Sequence, residues 1–379
     1  MRFYMVSGAC FVLRESRVNF HQLGHSSRNF FRSHYYRTNR LMNDMSTEKQ
    51  DNDIRIPVTI VTGFLGAGKT TLLQRIIRES TDKKIAVVQN EVSEEMGIES
   101  AVLTDVNGNI IPDFFELPNG CICCTSKDDM IITLENIVNL GRQRIDAIVV
   151  ETTGIADPCS VAEIFWLDNE LNSFLYLDGI VAVVDCLNFP SITQDNHALE
   201  HAEIGRKQVG IADRILINKI DLIDDPSDVL EFVKTLNPTA EIQTTSQSMI
   251  SSPEWVLNIG SFDPEKLSAH VHHHILSSVD HVFLKFPDTL LFDKSKLENV
   301  IGEILWTEED DGNIGNIYRA KGLVMCGEWH SLQGVGMLFE ILPQPAASQL
   351  VSISESRFLF VGSKLNEQEI RRRIENAIR

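Results

Sequence analysis

The stretch Gly63-Phe64-Leu65-Gly66-Ala67-Gly68-Lys69-Thr70 matches G-x-x-x-x-G-K-[ST], a spacing suited to phosphate chemistry. Its glycines let the backbone wrap so that successive N–H groups face one anion. A helix starting at the end of the loop adds its positive N-terminal end. Lys69 can then reach the β- and γ-phosphates of a nucleoside triphosphate, the Thr70 hydroxyl can ligate Mg2+, and Thr71 follows in the first helical turn. A glycine-rich turn could match by chance, but the flanks argue against it. Ile56–Thr62 reads as a buried β-branched strand, and Leu72, Leu73, Ile76 and Ile77 share one helical face.

Two further stretches complete a nucleotide site. Ala147-Ile-Val-Val-Glu151 is a strand ending in an acid, placed to hold or orient Mg2+, with Gly154 able to bring a backbone N–H near the γ-phosphate. Asn218-Lys219-Ile220-Asp221 follows another apolar strand. There Asp221 would accept hydrogen bonds from N1–H and the exocyclic amine of guanine while the Lys219 stem lies along the base. Adenine lacks those donors, so the order of motifs favours GTP over ATP.

Metal chemistry is suggested by Asn119-Gly120-Cys121-Ile122-Cys123-Cys124. Three thiols in four positions offer soft ligands for Zn2+, Cu+ or a similar ion, and they suit metal binding better than a disulfide framework. A fourth ligand must come from elsewhere, for example Glu91, a histidine or a partner protein. Buried structural thiols and a redox pair are the alternatives. The cysteines fall between the phosphate loop and Glu151, the interval where P-loop GTPases keep their switch segments. His270, His272, His273 and His274, with His281 nearby, make five of the eleven histidines. They read either as imidazole ligands or as a solvated linker.

The elements that must position these groups alternate strand and helix. Strands are expected at Lys84–Asn90, Ala147–Thr152, Asp178–Asp185 and Arg214–Lys219. Helices are expected at Asp129–Leu140, from Val161 toward Trp166, at His197–Val209 and at Asp228–Leu236. Apolar strands separated by amphipathic helices indicate an α/β P-loop fold, a parallel sheet with helices on both faces. A small α+β domain follows, with strands at His281–Phe286, Ile317–Met325, Val335–Leu342 and Phe358–Val361 and helices at Lys294–Leu305 and Asn366–Ile378.

The expected organisation is an N-terminal extension over 1–55, disordered or targeting, a GTPase domain over 56–246, a linker with the histidine cluster over 247–280, and a C-terminal domain over 281–379. Residues 1–41 hold seven arginines, no lysine and one acidic residue. That composition reads as a mitochondrial transit peptide or as an extension upstream of a second start at Met42 or Met45. A net charge of −19 argues against a general nucleic-acid or anionic-membrane binder. No apolar run approaches the ~20 residues of a membrane span. Clustered thiols point to a reducing compartment, with the cytoplasm expected and mitochondria the alternative.

In this order, G-F-L-G-A-G-K-T, N-G-C-I-C-C, E-T-T-G-I-A-D-P and N-K-I-D resemble the CobW-type family of P-loop GTPases. Glu151–Asp185, Ile304-Leu-Trp, Arg319-Ala-Lys-Gly-Leu-Val and Leu359-Phe-Val-Gly are similar to its eukaryotic branch, the zinc-regulated GTPase metalloprotein activators. The resemblance implies a GTPase domain with a small CobW C-terminal domain, GTP hydrolysis coupled to zinc delivery to a client apo-metalloprotein, and zinc on Cys121, Cys123 and Cys124. Relatives serving cobalt or iron proteins, and a non-catalytic metal buffer, are the rival readings. Two departures stand out. Family members often show N-E-F-G after the second strand, where this chain has Asn90-Glu91-Val92-Ser93. Residues 42–56 hold no copy of the Pro-Leu-Val motif with which the branch engages methionine aminopeptidase.

Overall fold

The computed structural model describes residues 2–6, 9–13, 55–80, 83–89, 102–103, 127–141, 145–164, 174–194, 199–261, 279–306, 314–344 and 355–379. Cys121, Cys123, Cys124, Glu91 and His270–His274 lie outside these residues. Within the N-terminal extension, β1 (Arg2–Val6) and β2 (Ala9–Leu13) pair antiparallel. Residues 53–379 form one compact unit.

The first sheet of that unit is built from β3 (Ile56–Thr62), β4 (Ile85–Gln89), β5 (Val102–Leu103), β6 (Ala147–Glu151), β7 (Leu175–Asp185), β8 (Arg214–Asn218) and β9 (Glu241–Thr244). Their order is β5-β4-β6-β3-β7-β8-β9, with every pair parallel except the edge pair β4–β5. β6 is buried along its whole length and β3 nearly so, as expected of strands covered on both faces. The phosphate-loop strand β3 sits at the centre, between β6, which ends at Glu151, and β7.

Both faces are covered. One carries α1 (Lys69–Glu79), whose Leu72, Leu73 and Ile76 pack beneath the sheet. The other carries α2 (Lys127–Gly141), α3 (Pro158–Ala162), α4 (Phe189–Gln194), α5 (Leu199–Gly210) and α6 (Ser227–Leu236). Residues 247–261, placed by composition at the start of a linker, are instead part of this core. The short helix α7 (Glu254–Leu257) buries Trp255, Val256, Leu257 and Ile259 on the α1 face, and the Val256 carbonyl accepts from the Thr59 hydroxyl at 2.9 Å. Ser-Ser-Pro in front of that apolar segment had masked it.

The second sheet comprises β10 (Asp280–Pro287), β11 (Asn316–Met325), β12 (Trp329–Val335), β13 (Leu338–Pro343) and β14 (Glu355–Ser363), in the antiparallel order β10-β14-β11-β12-β13. α8 (Lys294–Leu305) and α9 (Glu367–Glu375) complete it. The run Val335–Leu342, expected as one strand, is a hairpin corner. Val335 ends β12, Gly336 takes φ 59°, and Leu338 opens β13. A turn made of Gly and Met inside an apolar run leaves no polar signal, and only glycine's tolerance of positive φ marks it.

The two sheets share one apolar core, to which the second contributes Tyr318, Leu323, Val335, Leu359 and Val361. A buried charge cluster joins them. Asp213, just before β8, accepts from Arg319 Nη2 at 2.8 Å and from Lys321 Nζ, and also from the Ile180 backbone N–H at 2.8 Å. Burial alone would raise its pKa, but Arg319 and Lys321 outweigh that and hold the carboxyl below its ordinary range. His281, grouped by sequence with the histidine cluster, is buried in β10 and unavailable as a ligand. Burial pushes its pKa down to about 4, so it is neutral near pH 7. Removing the central anion should take from Arg319 and Lys321 the buried carboxylate on which both converge. Asp213→Asn is therefore expected to lower unfolding free energy by about 3–5 kcal/mol, read by urea denaturation of the full chain.

Candidate functional site

The site is assembled at the C-terminal ends of β3, β6, β7 and β8, the usual crevice of an open parallel sheet. Gly63 and Gly68 adopt φ 137° and 106°, a region that L side chains rarely enter. At each, a side chain would also collide. A Cβ on Gly63 would lie 2.2 Å from the Val183 carbonyl oxygen, and one on Gly68 would lie 2.4 Å from Asn218 Nδ2. The loop therefore wraps without side chains and enters α1 at Lys69. Lys69 is 4% exposed, and its ammonium lies over the loop, donating to the Phe64 carbonyl at 3.3 Å.

The structure brings the two Mg2+ candidates together. Thr70 Oγ1 donates to Glu151 Oε1 at 2.9 Å, although 81 residues separate them in sequence. Glu151 is 1% exposed at the end of β6, in register with Val61 of β3. A hydroxyl facing a carboxylate is a hard-oxygen donor set, which fits Mg2+ and not a thiophilic ion. Among the described residues, no group of three His, Cys, Asp or Glu could hold a metal.

Beyond Glu151 the chain folds back onto the phosphate loop. A Cβ on Gly154 would lie 2.4 Å from the Leu65 backbone nitrogen, so this position tolerates only glycine. Gln208 of α5 donates to the Gly154 and Ala156 carbonyls at 3.2 and 3.1 Å. Asp157 then caps α3, accepting from the Cys159 N–H at 2.9 Å, and pairs with Lys207 at 2.7 Å. Lys207 also stands 4.4 Å from the centre of the Tyr318 ring on β11. Cys159 is buried beside the Tyr318 carbonyl, and burial holds its thiol protonated, far above the ordinary range.

At the end of β8, Asn218 is bound to the phosphate loop. Its Nδ2 donates to the Ala67 carbonyl at 2.9 Å and to Ser248 Oγ at 3.0 Å, while its Oδ1 accepts from the Ser248 N–H at 2.8 Å. Ser248 Oγ in turn donates to the Gly68 carbonyl at 2.9 Å. The pair clamps the phosphate loop to β8. Asp221 lies exposed in the turn beyond. Ser248 escaped the sequence reading, as did Asp185, which pairs with Lys219 at 2.7 Å. Both left a trace. Thr244-Thr-Ser-Gln-Ser is a run of short polar residues of the kind that forms tight loops, and Asp185 is a strand-end acid like Glu151.

A glycine loop at a helix N-terminus, an acid–hydroxyl pair beside it and an exposed carboxylate at the base end define a P-loop nucleotide-binding protein. The nucleotide-binding domain of the CobW/HypB/UreG family matches residues 57–244, and the cobalamin synthesis protein CobW C-terminal domain matches residues 284–378. Zinc-regulated GTPase metalloprotein activator 1 of Schizosaccharomyces pombe is 35% identical over 325 residues, 76% of this chain and 77% of that protein. Zinc chaperone YjiA of Escherichia coli is 30% identical over 331 residues, 83% of this chain and 96% of its own length. The crystal structure of Zn(II)-bound YjiA GTPase from E. coli aligns with a TM-score of 0.62 at 26% identity, over 85% of this chain and 99% of that one. The chain belongs to the CobW/HypB/UreG family and is a P-loop GTPase with a CobW C-terminal domain.

The clamp can be tested apart from the phosphate contacts. Ser248→Ala removes a hydrogen bond to each of Gly68 and Asn218. Losing that restraint should weaken GDP binding about five- to tenfold and cost about 1–2 kcal/mol of stability, read by calorimetric titration and denaturation.

Proposed function

We propose that this GTPase delivers Zn2+ to a client apo-metalloenzyme in the cytoplasm, with methionine aminopeptidase the first client to test. The observation that carries the hydrolytic part is the Thr70–Glu151 hydrogen bond of 2.9 Å beside the phosphate loop. The zinc part is supported by the three-thiol motif Cys121, Cys123 and Cys124, and by relatives named as zinc-regulated activators and zinc chaperones.

In this reading GTP lies along the ends of β3, β7 and β8. Backbone N–H groups of Gly63–Thr71 and the Lys69 ammonium hold the β- and γ-phosphates, and Asp221 reads the guanine while Lys219 lies along it. Thr70 and Glu151 would hold Mg2+, which when bound neutralises charge building on the phosphate oxygens. Gly154 presents a backbone N–H toward the γ-phosphate, so the 153–157 loop senses its loss. The cysteines fall in sequence between the phosphate loop and Glu151, where switch segments lie, and their geometry should change with the γ-phosphate. Zinc is held in one nucleotide state and released to the client in the other.

Two measurements test these assignments. Asp221→Asn should weaken GTP binding sharply and relax discrimination against xanthine nucleotides, because an acceptor pair becomes a donor and an acceptor. Unchanged GTP affinity would remove the guanine assignment. Zinc affinity, measured by chelator competition, should differ about 5- to 150-fold between GDP and a non-hydrolysable GTP analogue, and the triple Cys→Ser variant should lose tight zinc binding while retaining nucleotide. Equal zinc affinities in both states would refute nucleotide-driven delivery.

A further inference from the structure

Lys219 holds its place by an unusual arrangement. Its backbone is left-handed at φ 65°, a conformation uncommon for a residue with a Cβ. Its ammonium is held by a buried carboxylate. It is bound at 2.7 Å to Asp185, the last residue of the neighbouring strand, which is directly in register with Asn218.

Asp185 is 3% exposed, and both its oxygens are engaged. Oδ1 accepts from the Leu187 and Asn188 N–H groups at 3.0 and 3.2 Å. Oδ2 accepts from Asn188 Nδ2 at 2.9 Å and from Lys219. The carboxylate is thus locked before Lys219 reaches it. The four methylenes of Lys219 are stretched from the end of β8 to the end of β7, beside the turn that carries Asp221.

We propose that Asp185 is a positioning residue for guanine: it anchors the Lys219 ammonium so that the lysine stem forms a fixed apolar shelf that holds the ring in register with Asp221. Adenine, lacking the donors for that carboxylate, does not take up this register. The anchor also neutralises a cation that would otherwise be free to fold onto the Asp221 carboxylate and compete with the base. A free lysine stem would have to be ordered anew on each binding event, at an entropic cost borne by affinity. The inference rests on Asp221 reading guanine as proposed above.

Asp185 also caps the turn leading into α4, so the test must separate that role from the anchor. Asparagine caps as well as aspartate but brings no charge to the lysine. Glutamate keeps the charge and caps poorly. Equilibrium binding of N-methylanthraniloyl-GDP to the full chain, competed by GDP and by ADP, distinguishes them.

We expect Asp185→Asn to weaken GDP about tenfold, the size of a lost charge-assisted hydrogen bond, and Asp185→Glu to stay within about threefold of the wild type. Weak ADP binding should change by less than about threefold in both. Combining Asp185→Asn with Lys219→Gln should weaken GDP no more than the stronger single change, because the two act through one contact.

The inference is overturned if Asp185→Asn binds GDP normally, if the glutamate variant is the worse of the two, if GDP and ADP weaken equally, or if the two single effects multiply in the double variant. Should Asp185→Asn fail to fold, Lys219→Gln carries the test, and undiminished GDP binding by it refutes the shelf. Failure of the guanine reading is seen separately, as intact guanine selectivity in Asp221→Asn.

Discussion

The structure depends on a backbone that must stay bare. The phosphate loop can aim its N–H groups at one anion only if Gly63 and Gly68 hold left-handed conformations. Three other parts of the chain close in on that bare backbone. The Val183 carbonyl meets Gly63, Asn218 and Ser248 meet Gly68, and Gly154 lies against the nitrogen of Leu65. A Cβ at Gly63 or Gly154 would collide with neighbouring backbone, and one at Gly68 would displace the Asn218 and Ser248 side chains.

From that centre a continuous set of contacts runs to the second sheet. Gly154 and Ala156 are held by Gln208, Asp157 by Lys207, and Lys207 lies against Tyr318. Gln208 and Lys207 are neighbours on α5, so the loop after Glu151 and the face of β11 share one rigid helix. The Asp213 cluster fixes the same interface a short distance along β11. Hydrophobic contact between the sheets supplies attraction without direction, whereas Arg319 and Lys321 converging on one carboxylate admit few alternative dockings. The 153–157 loop is therefore tied to the second sheet through side chains of a single helix.

Legibility in the sequence followed the reach of each signal. The phosphate loop, the strand into Glu151 and the Asn218–Asp221 turn were readable because each is contiguous and its geometry is local: strand, turn, helix. The alternation of apolar strands and amphipathic helices announced the parallel sheet for the same reason. The edge strand β9, half-exposed and only four residues long, carried too weak a pattern to register. The β12–β13 corner was hidden because its turn residues are Gly and Met, and the packing of 254–259 was hidden behind a polar approach.

What the sequence alone determined is the set of chemical groups and the class of fold: a phosphate loop, a strand-end acid, an Asn-Lys-Ile-Asp turn and a three-thiol motif on an α/β frame. Only the tertiary structure decided the partnerships. Thr70 meets Glu151 across 81 residues, Lys219 meets Asp185 across 34, Ser248 reaches back 180 residues to Gly68, and Asp213 binds Lys321 across 108. Such contacts leave no periodicity, because a hydrogen bond or ion pair depends on where strand order and register bring two side chains. Here that placement follows from β3 lying between β6 and β7, with β8 beyond.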